Sequence, residues 1–149
     1  MADGGLETRR AVSVALRLPD GLVLAVRRPE GPDEELPGVW GLPAVTLRAG
    51  EPAEAGVRRL GLEKLSVALT PGRLIAQGDQ PRDGYALRMS VYEAAATGEP
   101  ALPPEQAASL GGTRYEEIDW LPAASFRRAA DQGSLCCRLF VEATLPATP

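Results

Sequence analysis

The stretch Leu36-Pro-Gly-Val-Trp-Gly-Leu-Pro43, followed five residues later by Ala49-Gly-Glu51-Pro-Ala-Glu54 and then by Arg59 and Glu63, decides how the chain folds. Its prolines and glycines bracket Val39 and Trp40, which reads as a short extended segment between breakers. Pro52 suits the first turn of a helix, where its missing N–H would have no partner anyway. Val57, Leu60 and Leu65 then recur at near-helical spacing, so a helix is predicted over 52–65. Gly56 and Gly61 fall inside it, and each costs about 1 kcal/mol relative to alanine, so tertiary packing must compensate.

Upstream, residues 11–18 and 22–27 are β-prone runs around Pro19-Asp-Gly21, a hairpin signal. Residues 28–38 hold Pro29, Gly31, Pro32 and Pro37 among charged side chains and read as a loop. Downstream, 65–70, 74–77 and 85–94 read as strands, with turns at Pro71-Gly72 and Pro81-Arg-Asp-Gly84. A Gly-, Pro- and Ala-rich loop over 97–112 precedes a short strand, Tyr115-Glu-Glu-Ile-Asp-Trp-Leu121, and helical pieces around 123–131 and 134–143. This order describes an α+β fold, an α/β/α sandwich around one mixed sheet. The expected organisation is a flexible lead over 1–10, a single domain over 11–144 and a frayed tail over 145–149.

Composition removes several function classes. The 149 residues are 44% hydrophobic and 24% charged, near globular averages and enough for one core. A net charge of −4 argues against a broad nucleic-acid or anionic-membrane surface. With no histidine, Ser-His-Asp and Cys-His catalysis and histidine zinc sites are excluded, and proton chemistry falls to carboxylates, tyrosine or lysine. Lys64 is the one lysine, so basic contacts come mainly from arginine, whose planar group suits phosphate oxygens. Cys136 and Cys137 form neither a metal quartet nor a disulfide framework and read as small apolar residues on the last helix. No apolar signal core or membrane-length run is present, so a cytoplasmic protein with no membrane anchor is expected.

Behind its β-hairpin, the motif resembles that of the Nudix hydrolases. The family's box runs Gly, five residues, Glu, seven residues, then Arg-Glu-apolar-any-Glu-Glu-any-Gly-apolar. Glu51 falls on the first glutamate, Arg59 on the arginine, Glu63 on the first of the paired glutamates and Val67 on the closing apolar position. The chain departs at Val45 for the opening glycine, Leu60 for the glutamate after arginine, Gly61 for the apolar residue, Lys64 for the second paired glutamate and Ser66 for the glycine. The late stretch from Tyr115 through Trp120-Leu-Pro122 is also similar to the family's Glu…Trp-Leu-Pro segment.

The resemblance implies a hydrolase that cleaves the pyrophosphate of a nucleoside diphosphate linked to another moiety. It implies Mg2+ or Mn2+ as cofactor, with Glu63 and Glu51 near the metal and Arg59 holding the glutamates in position. Glu116 or Glu117 would add a carboxylate as ligand or base, and adjacent strand residues face opposite sides, so at most one points inward. Arg27 and Arg28 match the family's basic position near the substrate. A small nucleotide-type molecule is the implied partner, and homodimers are frequent in the family.

Of the helix carboxylate positions 60, 63 and 64, only Glu63 keeps its acid. Magnesium takes one or two protein carboxylates besides substrate phosphates, so Glu63 with a bound pyrophosphate is compatible with it. Lys64 reverses the charge and is expected to pair with phosphate oxygens in place of one cation. The loss of two carboxylates motivates an alternative, a catalytically inactive Nudix fold that binds a nucleotide or a protein partner.

Plainer readings stand beside each role. Arg59 and Glu63, four residues apart, also describe an ordinary solvated helix face. Glu51 could serve the positive end of the helix dipole, and Arg48, a candidate substrate contact, could pair with Glu51 instead. Trp40 and Trp120 could stack a nucleobase, although core packing is the commoner use of a large aromatic.

Overall fold

The computed structural model describes residues 7–28, 38–103 and 115–145. Strand β1 (Glu7–Ala15) leads through a tight turn to β2 (Val23–Arg27), and the short strands β3 (Trp40–Gly41) and β4 (Ala44–Thr46) follow. Helix α1 (Ala53–Lys64) precedes the long hairpin of β5 (Ala68–Arg82) and β6 (Tyr85–Thr97). Strand β7 (Glu117–Leu121), a 3-10 turn at Ala123–Phe126, α2 (Arg127–Asp131) and α3 (Leu135–Thr144) complete the described chain. No helix among the described residues is long and apolar enough to cross a membrane.

The expected α/β/α sandwich forms, but its strands divide between two sheets. A mixed sheet has the order β4-β1-β6-β5, and an antiparallel one the order β3-β2-β7. The first hairpin is the point of division. Its turn closes as the sequence predicts, with Leu18 N on Leu22 O at 2.8 Å and Leu22 N on Asp20 Oδ1 at 3.0 Å. Beyond it β1 pairs with β4 and β6 while β2 pairs with β3 and β7.

Both strands are buried on two faces. Ala11 and Ala15 of β1 and Val23 and Ala25 of β2 pack toward α3, whereas Val12, Val14, Leu24 and Val26 pack toward α1. Such strands read as continuous apolar runs, as they do here.

Two other expectations are corrected. Residues 7–10 belong to β1, paired with β6 from Tyr85 to Arg88, rather than to a flexible lead. Pro71-Gly72 is not a turn: β5 runs through it with register shifts between Pro71 and Leu74 and between Leu74 and Ala76. The strand lies at a sheet edge, with a partner on one side only, which is where a strand tolerates proline.

The helix glycines have a packing reason. A Cβ on Gly61 would stand 2.6 Å from the Val67 carbonyl and 2.5 Å from Leu69 Cγ, so β5 closes directly against the last turn of α1. Leu60 is fully buried in the same cluster, where a leucine contributes about 2 kcal/mol by leaving water.

Candidate active site

The turn between β4 and α1 delivers Glu51 to the arginine of the following helix. Arg59 Nε donates to Glu51 Oε2 and Nη2 to Glu51 Oε1, both at 2.9 Å, a two-pronged pairing. Arg59 Nη2 also reaches the Thr46 carbonyl at 2.8 Å, and Nη1 reaches Glu63 Oε1 at 3.2 Å. The Arg59 and Glu51 side chains are only 11% and 13% exposed, so this is no solvated helix face.

Glu51 also accepts from the Arg48 amide at 2.9 Å, and its own carbonyl accepts from Arg10 Nη2 at 3.0 Å. Its carboxyl is held down to about 2, chiefly by the hydrogen bonds from Arg59 and against the opposing effect of burial. The same pairing raises Arg59 above its ordinary value. Glu51 thus serves as an anchor for Arg59, and the Arg48 side chain turns to Glu63, 3.7 Å from its Oε2, rather than to Glu51.

One residue further, the helix turns inward. Lys64 is 7% exposed, and its Nζ donates to the Ala44 carbonyl at 3.2 Å and lies 5.1 Å from the centre of the Tyr115 ring. Burial pushes its ammonium down to about 8, with Arg28 and Arg59 adding repulsion and Glu63 opposing them. Tyr115 meets both backbone polar groups of the same residue, its hydroxyl donating to Ala44 O at 3.1 Å and accepting from Ala44 N at 3.0 Å. Burial raises that phenol to about 12, so it stays neutral.

The family model described as the NUDIX domain matches residues 7–135. The chain belongs to the NUDIX family. Its fold is similar to that of a MutT NUDIX hydrolase from Burkholderia pseudomallei, with 27% identity, a TM-score of 0.63 and coverage of 86% of this chain and 99% of that one. The E. coli ORF135 protein aligns over 96% of both chains with a TM-score of 0.71 and 16% identity. An ADP-ribose pyrophosphatase from Streptococcus suis aligns over 94% of both, with a TM-score of 0.59 and 14% identity. Among curated protein sequences none matches the chain.

Within this NUDIX domain, Ser66 stands at the family's glycine and keeps a left-handed backbone, φ +53°, which costs an L-residue about 1 kcal/mol. Family enzymes generally use Mg2+ or Mn2+. The donors here fit only a limited form of that chemistry. Leu60 faces the core, Lys64 presents an ammonium, and Glu51 is consumed by Arg59. No group of three His, Cys, Asp or Glu side chains gathers among the described residues. An ion held by the protein alone does not fit; one carried mostly by phosphate oxygens, with Glu63 as the side-chain donor, does.

The structure brings Glu51, Arg59, Glu63, Arg48 and Lys64 together, with Arg28 close enough to act on Lys64 and Tyr115 electrostatically. Arg27 and Glu117 instead pair with each other across β2 and β7, Nη2 to Oε1 at 2.6 Å. They occupy the strand face shared with Val23 and Ala25, away from α1. Glu116 precedes β7 and is exposed.

Trp40 and Trp120 are partly buried against opposite core clusters. Cys136 and Cys137 are free and buried in the first turn of α3. Sequence reasoning missed Tyr115 and the Ala44 peptide; the phenol just ahead of the Glu116-Glu117 pair was the available signal. Most of residues 28–38 and of 97–112, each read from the sequence as a loop, lies outside the described residues.

Proposed function

We propose that this NUDIX-domain protein hydrolyses the pyrophosphate link of a nucleoside diphosphate joined to another moiety. The observation that carries the reading is the Glu51–Arg59–Glu63 network, assembled at the β4–α1 corner in a fold whose family cleaves pyrophosphates. A pyrophosphate is a polyanion, so attack by water demands positive charge on the phosphate oxygens and a carboxylate near the water.

Arg48 is 64% exposed and its contact with Glu63 is long, so it can swing onto a phosphate and release the Glu63 carboxylate. Glu63 then orients the attacking water, while Arg59, tied to Glu51, keeps Glu63 in place. A Mg2+ or Mn2+ ion arriving with the phosphates would be held by Glu63 and would supply further charge neutralisation. Arg28 and Lys64 face the same charge, and a nucleotide-type molecule is the substrate class.

The test is hydrolysis of ADP-ribose, nucleotide sugars, dinucleoside polyphosphates and nucleoside triphosphates with magnesium or manganese, beside Glu63→Gln. Turnover of at least one substrate, reduced about a hundredfold or more in the variant, is expected. Equal turnover in both proteins, or none with any substrate, would overturn the proposal. Binding without turnover would point to a silent nucleotide-binding domain.

A further inference from the structure

Positions 60 and 64 of α1, where the NUDIX box carries acids, lie four residues apart and share one helix face. That face is the inner one, since Leu60 is fully buried and Lys64 is 7% exposed. Two carboxylates on it would repel each other away from water and would need a cation between them. This chain has neither acid. Leu60 joins the apolar cluster of Val57 and Leu65, and Lys64 brings a positive charge of its own to the same face.

The ammonium is held as a bound cation is held. Its Nζ donates to the Ala44 carbonyl at 3.2 Å, stands 5.1 Å from the centre of the Tyr115 ring and has the Glu63 carboxylate as an opposing charge. A carbonyl oxygen, an aromatic face and a carboxylate are groups that attract cations in general. Through Ala44 the ammonium fastens the last turn of α1 to β4, whose Thr46 carbonyl is held by Arg59 of the same helix.

We infer that the Lys64 ammonium takes the place of a protein-held divalent ion at this corner, tying α1 to β4 itself, so that the free protein takes up no such ion. This role belongs to the protein without substrate and goes beyond the proposed function, in which an ion arrives only with the phosphates.

The test is Mn2+ binding in phosphate-free buffer, read by electron paramagnetic resonance, beside thermal unfolding in EDTA and in about 1 mM Mn2+. Wild type holds no Mn2+ with a Kd below about 1 mM, and the ion moves its melting temperature by less than about 1 °C. Lys64→Glu, which puts an acid beside the Ala44 carbonyl and Glu63, binds Mn2+ with a Kd of about 100 µM or tighter, and the ion raises its melting temperature by about 3 °C or more. Adding Glu63→Gln to Lys64→Glu weakens that binding about tenfold. Leu62→Glu, which places an acid on the other side of Glu63 but on the exposed face, gains no ion.

Wild-type binding as tight as that expected of Lys64→Glu overturns the inference, whatever the variants do. So does a Lys64→Glu protein that is folded by circular dichroism and takes up no ion; where that variant does not fold, Lys64→Asp repeats the measurement. An equal gain in Leu62→Glu also overturns it, because any added acid would then make a site. No pyrophosphate enters the measurement, so failure of the proposed function is read separately in the hydrolysis assay.

Discussion

Two arginine–glutamate pairs, one at the β4–α1 corner and one across β2 and β7, differ in almost everything but composition. Arg59 and Glu51 meet through two parallel hydrogen bonds, and the same guanidinium also reaches a backbone carbonyl and a second carboxylate. Arg27 and Glu117 meet at the end of β2, both nitrogens on one oxygen, with side chains 24% and 57% exposed. The first pair occupies a largely buried corner where unpaired charge is costly, so it specifies a geometry. The second is more exposed and bound through a single carboxylate oxygen, so it contributes little to stability.

Breaking the buried pair gives the largest expected effect. Arg59→Ala strands the Glu51 carboxylate and frees the β4–α1 corner, costing about 3 kcal/mol and lowering the melting temperature by roughly 6 to 12 °C in a thermal scan.

A pH series sharpens the same contrast. The folded-state value of Glu51 is depressed to about 2, so its contribution is fully present above the ordinary glutamate value near 4.5 and is lost as pH falls toward 2. The stability difference between wild type and Glu51→Gln, followed by urea unfolding, is therefore widest above pH 5 and closes between 4.5 and 2. A gap independent of pH would show that the pairing does not act through charge.

The smallest effect belongs to the exposed pair. Glu117→Gln shifts stability by less than about 1 kcal/mol in denaturant unfolding and loses even that in high salt. A loss as large as that of Arg59→Ala would erase the distinction between the two regions.

Much of the fold was legible because its signals are local. Pro52 at the head of the helix, the Pro19-Asp-Gly21 turn and the Asp83-Gly84 turn each act through the backbone of a few neighbouring residues. The Pro71-Gly72 pair misled for the same reason. Locally it reads as a turn, but its place on an edge strand lets β5 pass through it. In the site, the spacing of Arg59 and Glu63 was readable from helix geometry, whereas the grip of Arg59 on Glu51 depends on how the β4–α1 turn folds back.

By itself the sequence determined the kind of elements, their order and the family motif, because hydrophobic period, turn chemistry and residue spacing are written along the chain. Only the tertiary structure decided that β1 and β2 leave their shared turn for different sheets, that Glu117 pairs with Arg27, and that Lys64 points inward to Ala44 and Tyr115. Those outcomes depend on contacts between residues up to 90 positions apart, where burial and the need to satisfy every buried charge choose among partners that spacing alone leaves equivalent.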